Sequence, residues 1–155
     1  MKTDVKKLVI ALAIPLGAGA LATVFSGGMD SYVLMNQPPL SPPGWVFPLV
    51  WTILYLLMGY ASYRVYLSGA EPAAVRQALL FYGIQLALNF LWPIVFFGLQ
   101  WYWAAFIVLL VLWFFIYLTM HLFGQIDDTA ENLLIPYLLW VTFAGYLNLG
   151  VALLN

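Results

Sequence analysis

From Val5 to Leu154 the chain is a succession of apolar runs, each long enough to cross a bilayer, with charged residues gathered at or near the breaks between them. A spanning helix needs about 20 mostly apolar residues. Lipid tolerates only helices or closed barrels, because every backbone N–H and C=O must find its partner inside the protein. These runs are too long and too uniformly apolar for the short alternating strands of a barrel. The pattern predicts an all-α integral membrane protein, a single five-transmembrane-helix bundle. Its spans are expected at about Val5–Ser26, Pro43–Leu67, Ala74–Phe97, Trp101–Phe123 and Ala130–Leu154, with a long first loop over 27–42.

Composition agrees and excludes several functions. Of 155 residues, 65% are hydrophobic and 7% charged, against about a quarter charged in soluble domains. A net charge of −1 gives no basic face for nucleic acid. The absence of cysteine removes disulfides, thiolate metal sites and a cysteine nucleophile. Lys2, Lys6 and Lys7 before the first run resemble the basic start of a signal peptide, but the run continues to Gly28 with no small-residue cleavage site. It reads as a retained first helix.

The breaks set topology. The first loop carries Asp30, Ser31, Asn36 and several prolines, and its length predicts order across one membrane face. It leads into the second span through Ser41-Pro42-Pro43-Gly44-Trp45, where Ser41 is expected as the N-cap and the prolines as the first turn. Ser68-Gly69-Ala70-Glu71-Pro72 reads as an interhelical turn, and Gly98 with Gln100 makes a short hairpin that forces the third and fourth spans antiparallel. Asp127, Asp128 and Glu131 favour the N-terminus of the fifth helix through its dipole. The N-terminal lysines, Arg64 and Arg76 fall on one side, and the other side has no Lys or Arg. By the positive-inside rule, in a bacterial cell membrane, the N-terminus is cytoplasmic and the first loop and C-terminus face outward.

Helix faces come next. In the third span Gln85, Asn89, Trp92 and Phe96 share one face, and amides in hydrocarbon need partners, so this face should turn inward. Pro93 frees a further carbonyl there. The fifth span repeats the pattern with Tyr137, Trp140, Ala144 and Asn148, the second with Pro48, Trp51 or Thr52, Tyr55, Gly59 and Ser62, and the fourth offers Trp103, Phe106, Leu110, Trp113, Tyr117 and His121. Flat rings beside a few amides suit a large, flat, mostly apolar ligand. Two plainer readings stand beside this: amides commonly tie membrane helices together, and Trp45, Trp101 and Trp103 near span ends fit an interfacial aromatic belt. Trp51, Trp92, Trp113 and Trp140 lie deeper, where a belt explains them less well. His121 fits an interface residue, no metal site or hydrolase motif is present, and no intramembrane acid suggests proton coupling.

Three ordered motifs carry a family resemblance: Pro42-Pro-Gly-Trp-Val-Phe-Pro-Leu-Val-Trp51-Thr-Ile-Leu-Tyr55, then Gln85-Leu-Ala-Leu-Asn89-Phe-Leu-Trp92-Pro, then Pro136-Tyr-Leu-Leu-Trp140-Val-Thr-Phe-Ala144-Gly-Tyr-Leu-Asn148. They are similar to the TspO/MBR family, the tryptophan-rich sensory proteins and translocator proteins that include the peripheral benzodiazepine receptors. The resemblance runs from about Tyr32 to Asn148. It implies a homodimeric five-helix bundle with a cavity beneath the first loop. It also implies binding of porphyrins such as protoporphyrin IX, of sterols in some members, and of benzodiazepine-type ligands, with no required cofactor. Light-dependent degradation of protoporphyrin is implied for some bacterial members, with Trp51 and Trp140 as the reacting residues. Tyr32, Asn89, Trp103, Ala144 and Asn148 match the family's cavity positions.

Together with the stripes, the resemblance favours the Trp51 and Tyr55 side of the second span and leaves Trp45 as an interface anchor. The candidate ligand-binding set is therefore Tyr32, Trp51, Tyr55, Asn89, Trp92, Trp103, Trp140, Ala144 and Asn148. Relatives often carry Trp-Tyr, Lys-Pro and a further Trp in the first loop, where this chain has Ser31-Tyr32, Gln37-Pro38 and Leu40. The C-terminal sterol motif of animal members is absent, although Leu57-Met-Gly-Tyr60-Ala-Ser-Tyr-Arg64 fits the generic sterol pattern. Porphyrin receptor or carrier is the leading expectation, with photo-oxidation and sterol or lipid transport as alternatives. Ala13-x-x-x-Gly17 and Ala18-x-x-x-Ala22 in the first span are small-residue pairs that serve a dimer or the packing of the bundle itself.

Overall fold

The computed structural model describes residues 3–155, so Lys2 of the basic N-terminus lies outside the described residues. Five of its helical stretches are long and apolar enough to cross a membrane, as expected. The elements are α1 (Val5–Ser26), a short α2 (Asp30–Leu34), α3 (Val46–Tyr66), α4 (Pro72–Pro93), a π-helical turn (Ile94–Gly98), α5 (Tyr102–Gly124), a short α6 (Asp128–Leu133) and α7 (Ile135–Leu154).

α1 starts on an Asp4 cap, whose carboxylate accepts from the Lys7 N–H at 3.2 Å. It ends at Gly27, in the left-handed region at φ 79°, with the Gly28 N–H returning to the Thr23 carbonyl; glycine permits this backbone without a Cβ clash. α1 packs chiefly on α3. The contact is close because Gly59 has no side chain: a Cβ there would sit 2.7 Å from the Ala11 carbonyl oxygen.

Three helix ends differ from expectation. Ser41 is not the N-cap of α3. Its hydroxyl donates to the Pro38 carbonyl at 2.7 Å, and the helix begins only at Val46. Ser41 and Pro42 each precede a proline, which disfavours helical backbone at both, so the chain turns once more before entering α3. The third span stops being α-helical at Pro93 instead of running to Phe97. A proline removes one hydrogen bond and crowds the preceding turn, and the chain continues with wider spacing, the Leu99 N–H reaching the Ile94 carbonyl at 2.9 Å. The fifth span is two helices with a break at Leu134, just before Pro136. Asp127 therefore caps the short α6, accepting from Thr129 and Ala130, instead of assisting a single long helix. Asp127 also receives the Arg64 guanidinium at 3.0 Å, which ties the end of α3 to α6.

The largest correction concerns α5. The stripe of Trp103, Leu110, Trp113, Tyr117 and His121 lies on the exposed surface, and the buried face is Ala105, Leu109, Leu112, Ile116, Thr119 and Phe123. α5 packs chiefly on α4, where Phe115 stacks on Phe81. Trp113 still has a partner, donating to the Thr142 hydroxyl of α7 at 2.8 Å.

Candidate functional site

The predicted amides of α4 point into the bundle and form one connected chain. Tyr55 donates to the Asn89 carbonyl oxygen at 2.8 Å, the Asn89 amide donates to the Tyr137 hydroxyl at 2.7 Å, and Tyr137 donates to the Gln85 carbonyl oxygen at 2.7 Å. All four residues are buried, so α3, α4 and α7 are joined by bonds that water cannot replace. A second pair closes the upper part: Trp92 donates to Asn148 at 2.9 Å, and Asn148 donates to the Tyr102 carbonyl at 2.9 Å. The tying role of the amides is thus real, and it fixes the rings around a space.

That space has two chambers. The larger, 170 Å³, lies between α1, α3 and α4 and is walled by Trp51, Tyr55, Asn89, Trp92 and Phe97, with Gly19 and Ala22 on the α1 side. Gly19 matters here, since any Cβ would run into the Tyr55 ring. The smaller, 20 Å³, lies beneath the first loop against Tyr32, Ala144 and Asn148. Phe47, Trp92 and Phe97 border both chambers. Phe47 packs edge-on to Tyr32 at 5.0 Å and to Trp140 at 5.9 Å between ring centroids, and with Trp92 and Phe97 it forms the partition between the chambers.

The first loop is an ordered cover, as its length predicts. Tyr32 is buried and donates from its hydroxyl to the Pro42 carbonyl at 2.6 Å. Burial pushes the Tyr32 phenol above its ordinary value. Gln37 holds the loop together by donating to the Tyr32 carbonyl at 2.7 Å. The loop is pinned to α7 through Tyr146, which donates to Pro39, and through Asn36 with Asn155. Leu40 stands exposed with φ 70°, a backbone region that branched and bulky side chains avoid.

Of the expected residues, Tyr32, Trp51, Tyr55, Asn89, Trp92, Ala144 and Asn148 border one chamber or the other. Trp140 does not. It faces an outer groove between α3 and α7, behind Phe47, and its buried indole N–H has no partner among the described residues. Trp103 is also apart, exposed at the start of α5. Trp45 is exposed at the start of α3, consistent with an interface anchor. The generic sterol pattern ends on Arg64, whose guanidinium is already paired with Asp127. Sequence reasoning missed Phe47 and Phe97. Phe47 stands one helical turn before Trp51, so its spacing was available as a signal. Phe97 was not, because only the π-helical turn brings both Phe96 and Phe97 inside.

A model of the TspO/MBR family matches residues 11–154. The "Tryptophan-rich protein TspO" of Chlorobaculum tepidum is 37% identical, over 100% of this chain and 99% of that protein. The "Tryptophan-rich sensory protein" of Cereibacter sphaeroides is 46% identical, over 80% of this chain and 76% of its own. The "Translocator protein" of Ovis aries is 37% identical, over 87% of this chain and 82% of its own.

Proposed function

The chain belongs to the TspO/MBR family, and from that premise we propose that it is a membrane receptor or carrier for porphyrins of the protoporphyrin IX type. The observation that supports this reading is the ring-walled chamber between α1, α3 and α4, with Trp51 in its wall and Asn89 as its buried amide. A chamber of 170 Å³ is below the roughly 300 Å³ at which drug-sized pockets begin. Entry of a tetrapyrrole therefore requires Phe47 and the Tyr32 cover to move, joining the two chambers. Trp51 then stacks on the macrocycle, and Asn89 offers the one amide hydrogen that Tyr137 leaves free.

Protoporphyrin IX titrated into the detergent-solubilised protein should quench tryptophan fluorescence to saturation. Trp51→Phe should weaken binding roughly two- to tenfold, the loss of a ring contact worth about 0.5–1.5 kcal/mol. Trp140→Phe should do much less, because Trp140 lies behind the partition. The reverse order would move the site to the outer groove. A second reading, light-dependent oxidation of the bound porphyrin, is favoured by the contacts of Trp51 with two oxidisable rings, Tyr55 at 5.7 Å and Tyr137 at 6.1 Å. Illuminating the same complex tests it: porphyrin loss no faster than in empty micelles removes this reading.

The proposal includes an orientation and a partner. Lys6, Lys7, Arg64 and Arg76 gather at one end of the bundle, where the Asp4 N–H meets the Tyr63 hydroxyl at 2.9 Å, so that end is cytoplasmic and the covered chamber faces outward. A second copy docks on α1, where Ala13 and Gly17 are exposed while Ala22 is buried within the bundle. Single cysteines in this cysteine-free chain check both statements. A cysteine at Leu40 should react with an impermeant reagent from outside the cell, and one at Ala13 should cross-link two copies. Labelling only from inside, or no cross-link, removes the corresponding statement.

A further inference from the structure

Among the described residues, no Asp, Glu, Lys, Arg or His lines either chamber. The cations of the chain are remote from both. Lys2, Lys6 and Lys7 stand at or before the start of α1, Arg64 in the last turn of α3, and Arg76 near the start of α4. Nine residues separate Arg64 from Tyr55, twelve separate Lys7 from Gly19, and thirteen separate Arg76 from Asn89. At a rise of 1.5 Å per residue, each helix holds its cation roughly 14–20 Å from the chamber that it walls. The connections at the chamber's own end, over 27–45 and 99–101, carry one charged side chain, and it is an acid, Asp30. Asp30 is exposed, follows Met29 of the chamber wall, and has no ion-pair partner among the described residues.

Hydrogen-bond donors are scarce as well. The Thr23 and Ser26 hydroxyls donate to carbonyls of their own helix at 3.0 and 3.1 Å. Ser41 is committed to Pro38, Tyr32 to Pro42 and Tyr55 to Asn89. What remains is neutral, chiefly one amide hydrogen of Asn89 and the indole N–H of Trp51. A carboxylate withdrawn from water requires a cation or several donors converging on it. A ring nitrogen or an ester oxygen requires only one. The space is therefore built for a flat ligand that brings acceptors and no negative charge.

We propose that the chambers select flat ligands without carboxylates, so that the preferred form of a porphyrin is one whose acidic side chains are esterified. The free acid binds more weakly, because its carboxylates gain no partner and face Asp30. This rests on the chamber as the porphyrin site and adds the charge state that the site takes. The test titrates protoporphyrin IX, its dimethyl ester and the tetra-acid coproporphyrin into the full-length protein in a neutral detergent. Each affinity is corrected for partition of that porphyrin into empty micelles. The dimethyl ester should bind about tenfold more tightly than protoporphyrin IX, and coproporphyrin should bind more weakly again. Asp30→Lys should strengthen protoporphyrin IX binding several-fold and leave the ester unchanged, a comparison from which ligand solubility cancels. Free acid binding as tightly as the ester would overturn the proposal, and so would an Asp30→Lys variant that leaves the free acid unchanged. Failure of all three porphyrins to bind saturably is a different result: it removes the chamber as a porphyrin site, and this selectivity with it.

Discussion

Phe47→Ala is expected to lower stability by about 3–5 kcal/mol, the usual range for removing a buried phenylalanine ring, and to join the two chambers into one. Phe47 is 6% exposed and borders both the 170 Å³ and the 20 Å³ space. Its edge-on contacts with Tyr32 and Trp140 are lost together with the ring. The enlarged chamber should admit the macrocycle on movement of the Tyr32 cover alone, so protoporphyrin IX should restore part of the lost stability by mass action. At a hundredfold excess over Kd, binding contributes about 2.7 kcal/mol. Thermal unfolding in detergent with and without porphyrin measures both quantities. Wild-type stability in the variant would show that Phe47 is not packed as a partition. Weaker porphyrin binding would show that the ring is itself a contact and not a barrier.

The second large effect is expected at Tyr137. Its hydroxyl accepts from Asn89 and donates to Gln85, so Tyr137→Phe leaves one buried amide hydrogen and one buried carbonyl oxygen unpaired at a single stroke. Each orphaned group costs about 1–3 kcal/mol, giving an expected loss of roughly 2–4 kcal/mol after partial rearrangement. Tyr55→Phe removes only one bond, to the Asn89 carbonyl oxygen. Its loss should be roughly half as large. Unfolding by a graded denaturing detergent compares the two variants and their double. Because the three bonds form one chain, the double variant should lose less than the sum of the singles. Equal single losses, or strict additivity, would contradict a connected chain.

The same chain shows why some of the site was legible in the residues and some was not. Gln85, Asn89 and Asn148 could be placed inward without any structure, because an amide facing hydrocarbon has no partner there. The rings carry no such instruction. Trp and Phe are accepted by lipid and by a helix interface alike, so the aromatic stripe on α5 read like those on α4 and α7, yet it faces outward. Trp140 shows the same ambiguity within α7: it shares a face with Tyr137 and Ala144 but lines the outer groove, with the Phe47 ring packed edge-on against it. Ser41 failed as a cap for a local reason, the two prolines that follow it. Phe97 was hidden because the turn after Pro93 changes the number of residues per turn.

What the sequence determined by itself is the number of spans, their order, and the inward direction of the amides. Each follows from a large penalty, the exposure of backbone or amide groups to hydrocarbon, which permits few alternatives. What only the tertiary structure decided is which rings wall the chambers and that Phe47 divides them. Those outcomes turn on packing between surfaces that lipid and protein solvate almost equally well, so small differences in shape, and not hydrophobicity, select them.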